Sequence, residues 1–451
     1  MGIDLRIWTL GFVLTIGACS DGEEIVSPVK VISATVNGAL IKNGDTNIAI
    51  DFSLEIVFDT SLDTDVVSQY LHFTTSDQTV VYDLTFANAT SKLIVTADLV
   101  YNTTYELVMA VGPIGLAGEV LETPLSLAFT TAEDEVIRSM APCTNTGSCL
   151  NTTELTTGDG TGSFTFYANY PIYEPNATWE NLSQAIIVVH GLERNADDYY
   201  SYLNSTLEQE ELQENTILIA PFFKNNGEAE NDDLYWNGSA WREGQNSISN
   251  VKLSSFAVLD SLITQLANSE LFPVLEEILI TGHSSGGLFT QVYAIANRAE
   301  NQNSALSFTY MPSNSQYYYY PNGFRYDEDI QVYTEPSSCA LYDSWPLGYK
   351  SLPSYLDGVS LETFNGQLTD RTITYLLGNG TGSDGSLNTS DCKATLLGST
   401  RFSRGENVFA HAQHYFSPAN QTKEIVQGIG HDGQGMYQSS EFKAILSELF
   451  K

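Results

Sequence analysis

The spacing of apolar residues changes once along the chain. From residue 25 to 132, apolar and polar positions alternate in short stretches at 31–36, 48–58, 80–86, 93–97, 105–111 and 127–130. A period of two sends alternate side chains to opposite faces of a strand. Asn-Gly, Asn-Gly-Asp and Ala-Gly-Glu groups between the stretches supply turns, so residues 27–132 are predicted to form a β-sandwich. From residue 163 onward, strands are expected at 164–169, 185–189, 217–220, 278–281, 306–310, 373–377 and 424–427, the inner ones as apolar runs in place of the alternation. Segments of helical period lie at 197–208, 254–267, 288–299 and 441–449. Continuous apolar runs belong to strands buried on both faces, and strand–helix alternation builds a mostly parallel sheet covered by helices. Residues 133–162, rich in Thr, Gly, Ser and Asn, read as a linker carrying a small cysteine loop. Residues 311–370 are too long for a simple crossover and hold many aromatic residues. They read as a cap-like insertion, its rings either facing a ligand or packing the insertion itself.

The most informative stretch is 278–287, ILITGHSSGG, where an apolar β run meets a glycine-bracketed serine. Gly282-His283-Ser284-Ser285-Gly286 fits Gly-x-Ser-x-Gly, and the helical period that follows is what such a turn should start. The reason for the glycines is steric: a strand turning directly into a helix leaves no room for side chains beside the turn. The serine hydroxyl is then lifted beyond the carboxyl end of the strand, where reactive groups of parallel sheets lie. Ser284 is therefore the candidate nucleophile; the bland alternative is a glycine-rich loop with an ordinary serine.

Charge and termini narrow the setting. Lys and Arg number 19 against 55 Asp and Glu, a net charge of −36, which argues against nucleic acid or an anionic membrane surface as partner. Residues 1–18 hold one arginine, Arg6, an apolar run and small residues, the pattern of a secretory signal peptide. Ile16-Gly17-Ala18-Cys19 resembles the lipobox of bacterial lipoproteins, which implies lipid on Cys19, an acidic tether over 19–26, and export to the outer membrane, on its periplasmic side or at the cell surface. The membrane is then touched only through that anchor. Four cysteines remain for an oxidising compartment, with three possible connectivities; Cys143 with Cys149 closes a short Gly-containing loop. No metal motif is visible, so no metal and no cofactor is expected, and a monomer is.

Two resemblances add roles to these residues. Ile50-Asp51-Phe52-Ser53, Asn102-Thr103-Thr104-Tyr105 and Ala128-Phe129-Thr130-Thr131 resemble bacterial Ig-like domains, which implies a spacer or adhesion module. His190-Gly191-Leu192-Glu193-Arg194-Asn195 follows the run at 185–189 and, with the serine turn, makes residues 163–451 resemble the α/β-hydrolase fold. That resemblance implies an oxyanion hole from the backbone N–H groups of Leu192 and Ser285. It also implies a base after the last strand. Of six histidines, His72 lies in the other domain, His190 and His283 sit in the two motifs, and His411 with His414 reads as a surface pair. His431, in a glycine loop after 424–427, is left. The acid should follow the run at 372–377, where Asp384 is the first candidate and Asp391 the second. Residues 190–200, Gly287, and Cys392 before Arg401 and Arg404 further resemble a group of secreted α/β-hydrolases, in which a disulfide analogous to Cys339–Cys392 pins the acid loop. The expectation is a Ser284–His431–Asp384 serine hydrolase acting on a small-molecule or polymeric ester. An amidase or peptidase of the same fold, or a non-catalytic adhesion protein, are the alternatives.

Overall fold

The computed structural model describes residues 27–76, 78–133 and 140–450; the expected signal peptide, Cys19 and the tether lie outside them. The chain divides into two compact units between residues 135 and 136.

The first unit is a β-sandwich. One antiparallel sheet runs, in spatial order, Ala39–Leu40, Val31–Val36, Asp51–Phe58, Lys92–Asp98 and Asp83–Ala87; the other runs Asp45–Ile48, Leu125–Thr131, Thr104–Met109 and Leu71–Thr75. The alternation is read out directly: Phe52, Leu54, Ile56 and Phe58 are buried while their neighbours are not. Phe52 stacks on Phe129 of the facing sheet with centroids 5.2 Å apart. The expected strand at 48–58 is two strands in different sheets, because the chain changes sheet between Ile48 and Asp51. The strand Leu71–Thr75 was not expected, having only Leu71 and Phe73 as buried anchors.

The second unit is built on one sheet of β1 (Leu150–Thr157), β2 (Gly160–Ala168), β3 (Gln184–Val189), β4 (Thr216–Pro221), β5 (Glu277–His283), β6 (Ser307–Ser313), β7 (Thr372–Gly378) and β8 (Gln421–Val426). Their spatial order is β1-β2-β4-β3-β5-β6-β7-β8, antiparallel through β1, β2 and β4 and parallel from β4 to β8. Its main helices are α1 (Ala196–Gln209), α2 (Ser255–Leu266), α3 (Ser285–Ala296), α4 (Leu361–Asp370), α5 (Arg401–Tyr415), α6 (Gly433–Tyr437) and α7 (Ser440–Leu449). β3 and β4 are buried at every position, as a two-sided sheet requires. Ile186, Val188 and Leu279 pack with Leu203 and Leu207 of α1 and Phe442 of α7. Ile187, Val189 and Ile280 go to the other face, with Leu259 of α2 and Phe289 of α3. From β3 the chain crosses by α1 to β4 on one side of the strand, and from β4 it returns by α2 to β5 on the other. The carboxyl ends of β3 and β5 therefore flank a switch point, the usual seat of a ligand site in such sheets.

Two expectations need correction, and one open alternative is decided. The linker expected over 133–162 contains all of β1 and the start of β2, joined by the two-residue turn Gly158-Asp159. Its many threonines, read as loop composition, are β-branched residues that fit a half-exposed edge strand. The His411/His414 pair lies on α5: His411 is fully buried and its Nε2 is 2.7 Å from Asn322 Oδ1. In the stretch 311–370, Tyr318, Tyr319 and Tyr320 are buried in the domain core, so those rings pack the insertion. The disulfides Cys143–Cys149 and Cys339–Cys392 are both formed.

Candidate active site

The serine turn is the strained point of the sheet. β5 ends at His283, α3 begins at Ser285, and Ser284 between them has φ 59° and ψ −115°, a conformation only glycine adopts freely. Ser284 N–H donates to Ser313 O at 2.9 Å, and Ser284 O accepts from the N–H groups of Gly287 and Leu288 at 3.1 and 3.3 Å. Space accounts for the glycines. A Cβ on Gly282 would strike the backbone of Gly286, one on Gly286 would strike Val189 and His190 carbonyls, and one on Gly287 would lie 2.6 Å from Ser313 O.

Beyond β3, His190 is buried and held at both ring nitrogens, with Nδ1 2.8 Å from Gly191 O and Nε2 accepting from Phe223 N–H at 3.2 Å. Burial pushes its pKa down to about 3, so it stays neutral and fixes the turn. Arg194, also buried, donates to the carbonyls of Phe223, Trp236 and Gly238 and ties that turn to the loop after β4. The turn presents Leu192, whose N–H takes part in no backbone hydrogen bond among the described residues. Ser285 opens α3, where N–H groups have no intrahelical acceptor. Leu192, Ser285, Ser284 and His431 line one cavity of about 340 Å³, with Gln316 and Ser386. From the expected cap, Gln316 alone reaches it among the described residues.

His431 follows β8 in the loop before α6. Its ring stacks on that of His283 at 4.9 Å, and His283 Nδ1 lies 2.9 Å from Tyr199 Oη. The acid loop after β7 brings Asp384 Oδ1 to 3.6 Å from His431 Nδ1, and Ser386 Oγ stands between them, 3.1 Å from Nδ1 and 2.7 Å from Oδ1. Arg401, at the start of α5, donates from Nε to Asp384 Oδ2 at 2.7 Å, from Nη1 to Asn314 O and from Nη2 to Ser386 Oγ. Hydrogen bonds from Arg401 and Ser386, with the arginine's charge, outweigh burial and hold the Asp384 carboxyl far below the usual carboxylate range. Burial first, then the Arg401 charge, pulls His431 down to about 4, against the opposing pull of Asp384 and Asp432. At neutral pH the pair is therefore a carboxylate and a neutral imidazole. Asp391 is elsewhere: it caps the short helix Cys392–Thr395, accepting from Lys393 N–H at 3.0 Å.

The Ser284 hydroxyl forms no hydrogen bond to His431 in this geometry, although both line the same cavity. Such contacts are often long without substrate and tighten in the complex. The sequence reading missed Ser386, Gln316 and the roles of His283 and Tyr199. Ser386 carries no catalytic motif; its signals were its place two residues after the candidate acid and the spacing by two of Asp384, Ser386 and Asn388, which lacks the glycine a calcium loop needs.

Residues 31–131 match the sequence profile of the bacterial Ig-like domain. No curated protein matches the chain. Among solved structures it is similar to LpqC, a poly(3-hydroxybutyrate) depolymerase from Bordetella parapertussis, at 19% identity over 64% of this chain and 87% of that one, TM-score 0.46. It is similar at 17% identity to poly(aspartic acid) hydrolase-1 from Sphingomonas sp. KT-1, over 67% and 98% of the chains, TM-score 0.46. A thermostable esterase shares 11% identity over 93% and 99%, TM-score 0.35. Strand order and the serine turn carry the fold assignment: an Ig-like β-sandwich followed by a mostly parallel sheet of α/β-hydrolase type.

Proposed function

We propose that the chain is a serine hydrolase cleaving carboxylic esters, exported and anchored by lipid on Cys19. Ser284 Oγ attacks the ester carbonyl while His431 Nε2 takes its proton. The N–H groups of Leu192 and Ser285 receive the negative charge that develops on the carbonyl oxygen. The tetrahedral species collapses, the C–O bond breaks, and His431 returns the proton to the departing alcohol. Water, deprotonated by the same imidazole, then releases the acid and frees Ser284. The observation that carries this reading is the shared cavity, which Ser284 in its strained conformation, His431, Leu192 and Ser285 all line. At about 340 Å³ it is at the small end of ligand pockets, which favours short acyl groups.

The test is turnover of p-nitrophenyl acetate and butyrate, with the matching anilides, by wild type and Ser284→Ala. Ester turnover that falls at least ~10³-fold in the variant supports the reading. Equal turnover of anilides would make the chain an amidase, and no turnover of either class would leave the binding-protein alternative.

A further inference from the structure

We infer that Ser386 is a positioning residue of the catalytic apparatus, a hydroxyl inserted between acid and base that sets the tautomer of His431. The inference rests on the reading of Ser284 and His431 as nucleophile and base, and it follows from counting hydrogens. Asp384 Oδ1 and His431 Nδ1 are 3.6 Å apart, too far for a hydrogen bond, whereas Ser386 Oγ is within reach of both at 2.7 and 3.1 Å. A serine hydroxyl has one hydrogen and two lone pairs. The ionised Asp384 can only accept, so it takes the Ser386 hydrogen. Arg401 Nη2, which can only donate, fills one lone pair at 3.0 Å. The remaining lone pair faces His431 Nδ1, which must therefore carry the proton and donate it. Neutral imidazole has one N–H, so Nε2 is left with its lone pair free to act as base.

The arrangement is held on every side. Arg401 is buried at the start of α5, and its Nη1 donates to Asn314 O just after β6. Asn388, two residues beyond Ser386, donates from Nδ2 to Tyr317 Oη at 3.0 Å and its carbonyl accepts from Arg404 at 2.7 Å. The charged or titratable groups around His431 are Asp384 on the acid loop, Arg401 on α5, His283 at the end of β5 and Asp432 on its own loop. Of these, Asp384 stands 3.6 Å from Nδ1, and Ser386 Oγ links the two by accepting from the ring and donating to the carboxylate.

The test combines two readouts on Ser386→Ala and Ser386→Thr. In ¹⁵N-histidine NMR at pH 7, with His431 assigned by its loss in His431→Gln, wild type shows the Nδ1–H tautomer of His431. Ser386→Ala raises the Nε2–H form to a comparable population. On p-nitrophenyl butyrate Ser386→Ala lowers kcat at least tenfold with KM changed less than threefold, and Ser386→Thr, which keeps the hydroxyl, recovers most of the loss. An unchanged tautomer in Ser386→Ala would overturn the inference, because acid and base would then pair without the hydroxyl. So would turnover within twofold of wild type. A wild type inert toward esters and amides would defeat the proposed function instead, and the tautomer measurement would still decide the role of Ser386.

Discussion

Ser284 carries the cost of its own position. Its φ of 59° with ψ −115° is of the kind that costs a side-chain-bearing residue about 1–3 kcal/mol. Replacing the hydroxyl alone does not relieve that, but removing the Cβ does. Ser284→Gly is expected to unfold in guanidinium at a higher midpoint than Ser284→Ala, with both inactive; equal midpoints would mean the turn is unstrained. His431 makes a second prediction. Base catalysis needs the neutral ring, and burial with Arg401 lowers its pKa to about 4. The acid limb of kcat/KM is therefore expected near pH 4, with activity full above it and lost as pH falls through it. A limb near 6.5 would place an ordinary, solvated histidine in the role. At this scale the serine was legible because sterics leave few ways to write a strand-to-helix turn. Histidine scarcity singled out His431. Ser386 was illegible because nothing in sequence tells which of several acid-loop hydroxyls meets a ring from another loop.

Among the elements, the loop after β7 is held by a long-range covalent tie. Its Cys392 is joined to Cys339 across a separation of 53 residues, which in the chain-entropy picture stabilises by about 4 kcal/mol. Replacing both cysteines by serine is expected to lower thermal stability and to reduce kcat more than Cys143→Ser/Cys149→Ser, whose loop has a separation of 6. Differential scanning calorimetry beside the ester assay reads both, and an equal loss in the two double variants would contradict it. Buried parallel strands such as β3 and β5 announced themselves by unbroken apolar runs, since both their faces are covered. β1 did not, because in an edge strand with one face in water four threonines stand beside Asn151 and Glu154, and Leu155 alone is buried. The strand break after Ile48 was equally hidden, as a chain changing sheets keeps its period of two.

For the whole molecule, pH acts on stability through histidines that burial keeps neutral. His190 and His411 are pushed to about 3, and His283 well below its ordinary value, each chiefly by burial. All three regain an ordinary value near 6.5 on unfolding. Below that pH the unfolded chain takes up protons that the folded one refuses, so stability falls as pH drops, by about 1.4 kcal/mol per unit for each histidine. Unfolding midpoints measured from pH 7 to 5 are expected to decline. Asp260, Glu277 and Glu300, raised chiefly by burial, act in the opposite direction and offset part of the decline. A flat profile would mean that these rings are hydrated in the folded state.

The central claim, that Ser284 is a nucleophile activated by His431, is tested most directly by locating a covalent adduct. Intact-mass and peptide mass spectrometry after brief exposure to a fluorophosphonate should find one equivalent on the peptide holding Ser284. The rate of labelling should fall at least tenfold in His431→Gln. A label on another residue, or labelling of Ser284 at the same rate without the imidazole, would contradict the account.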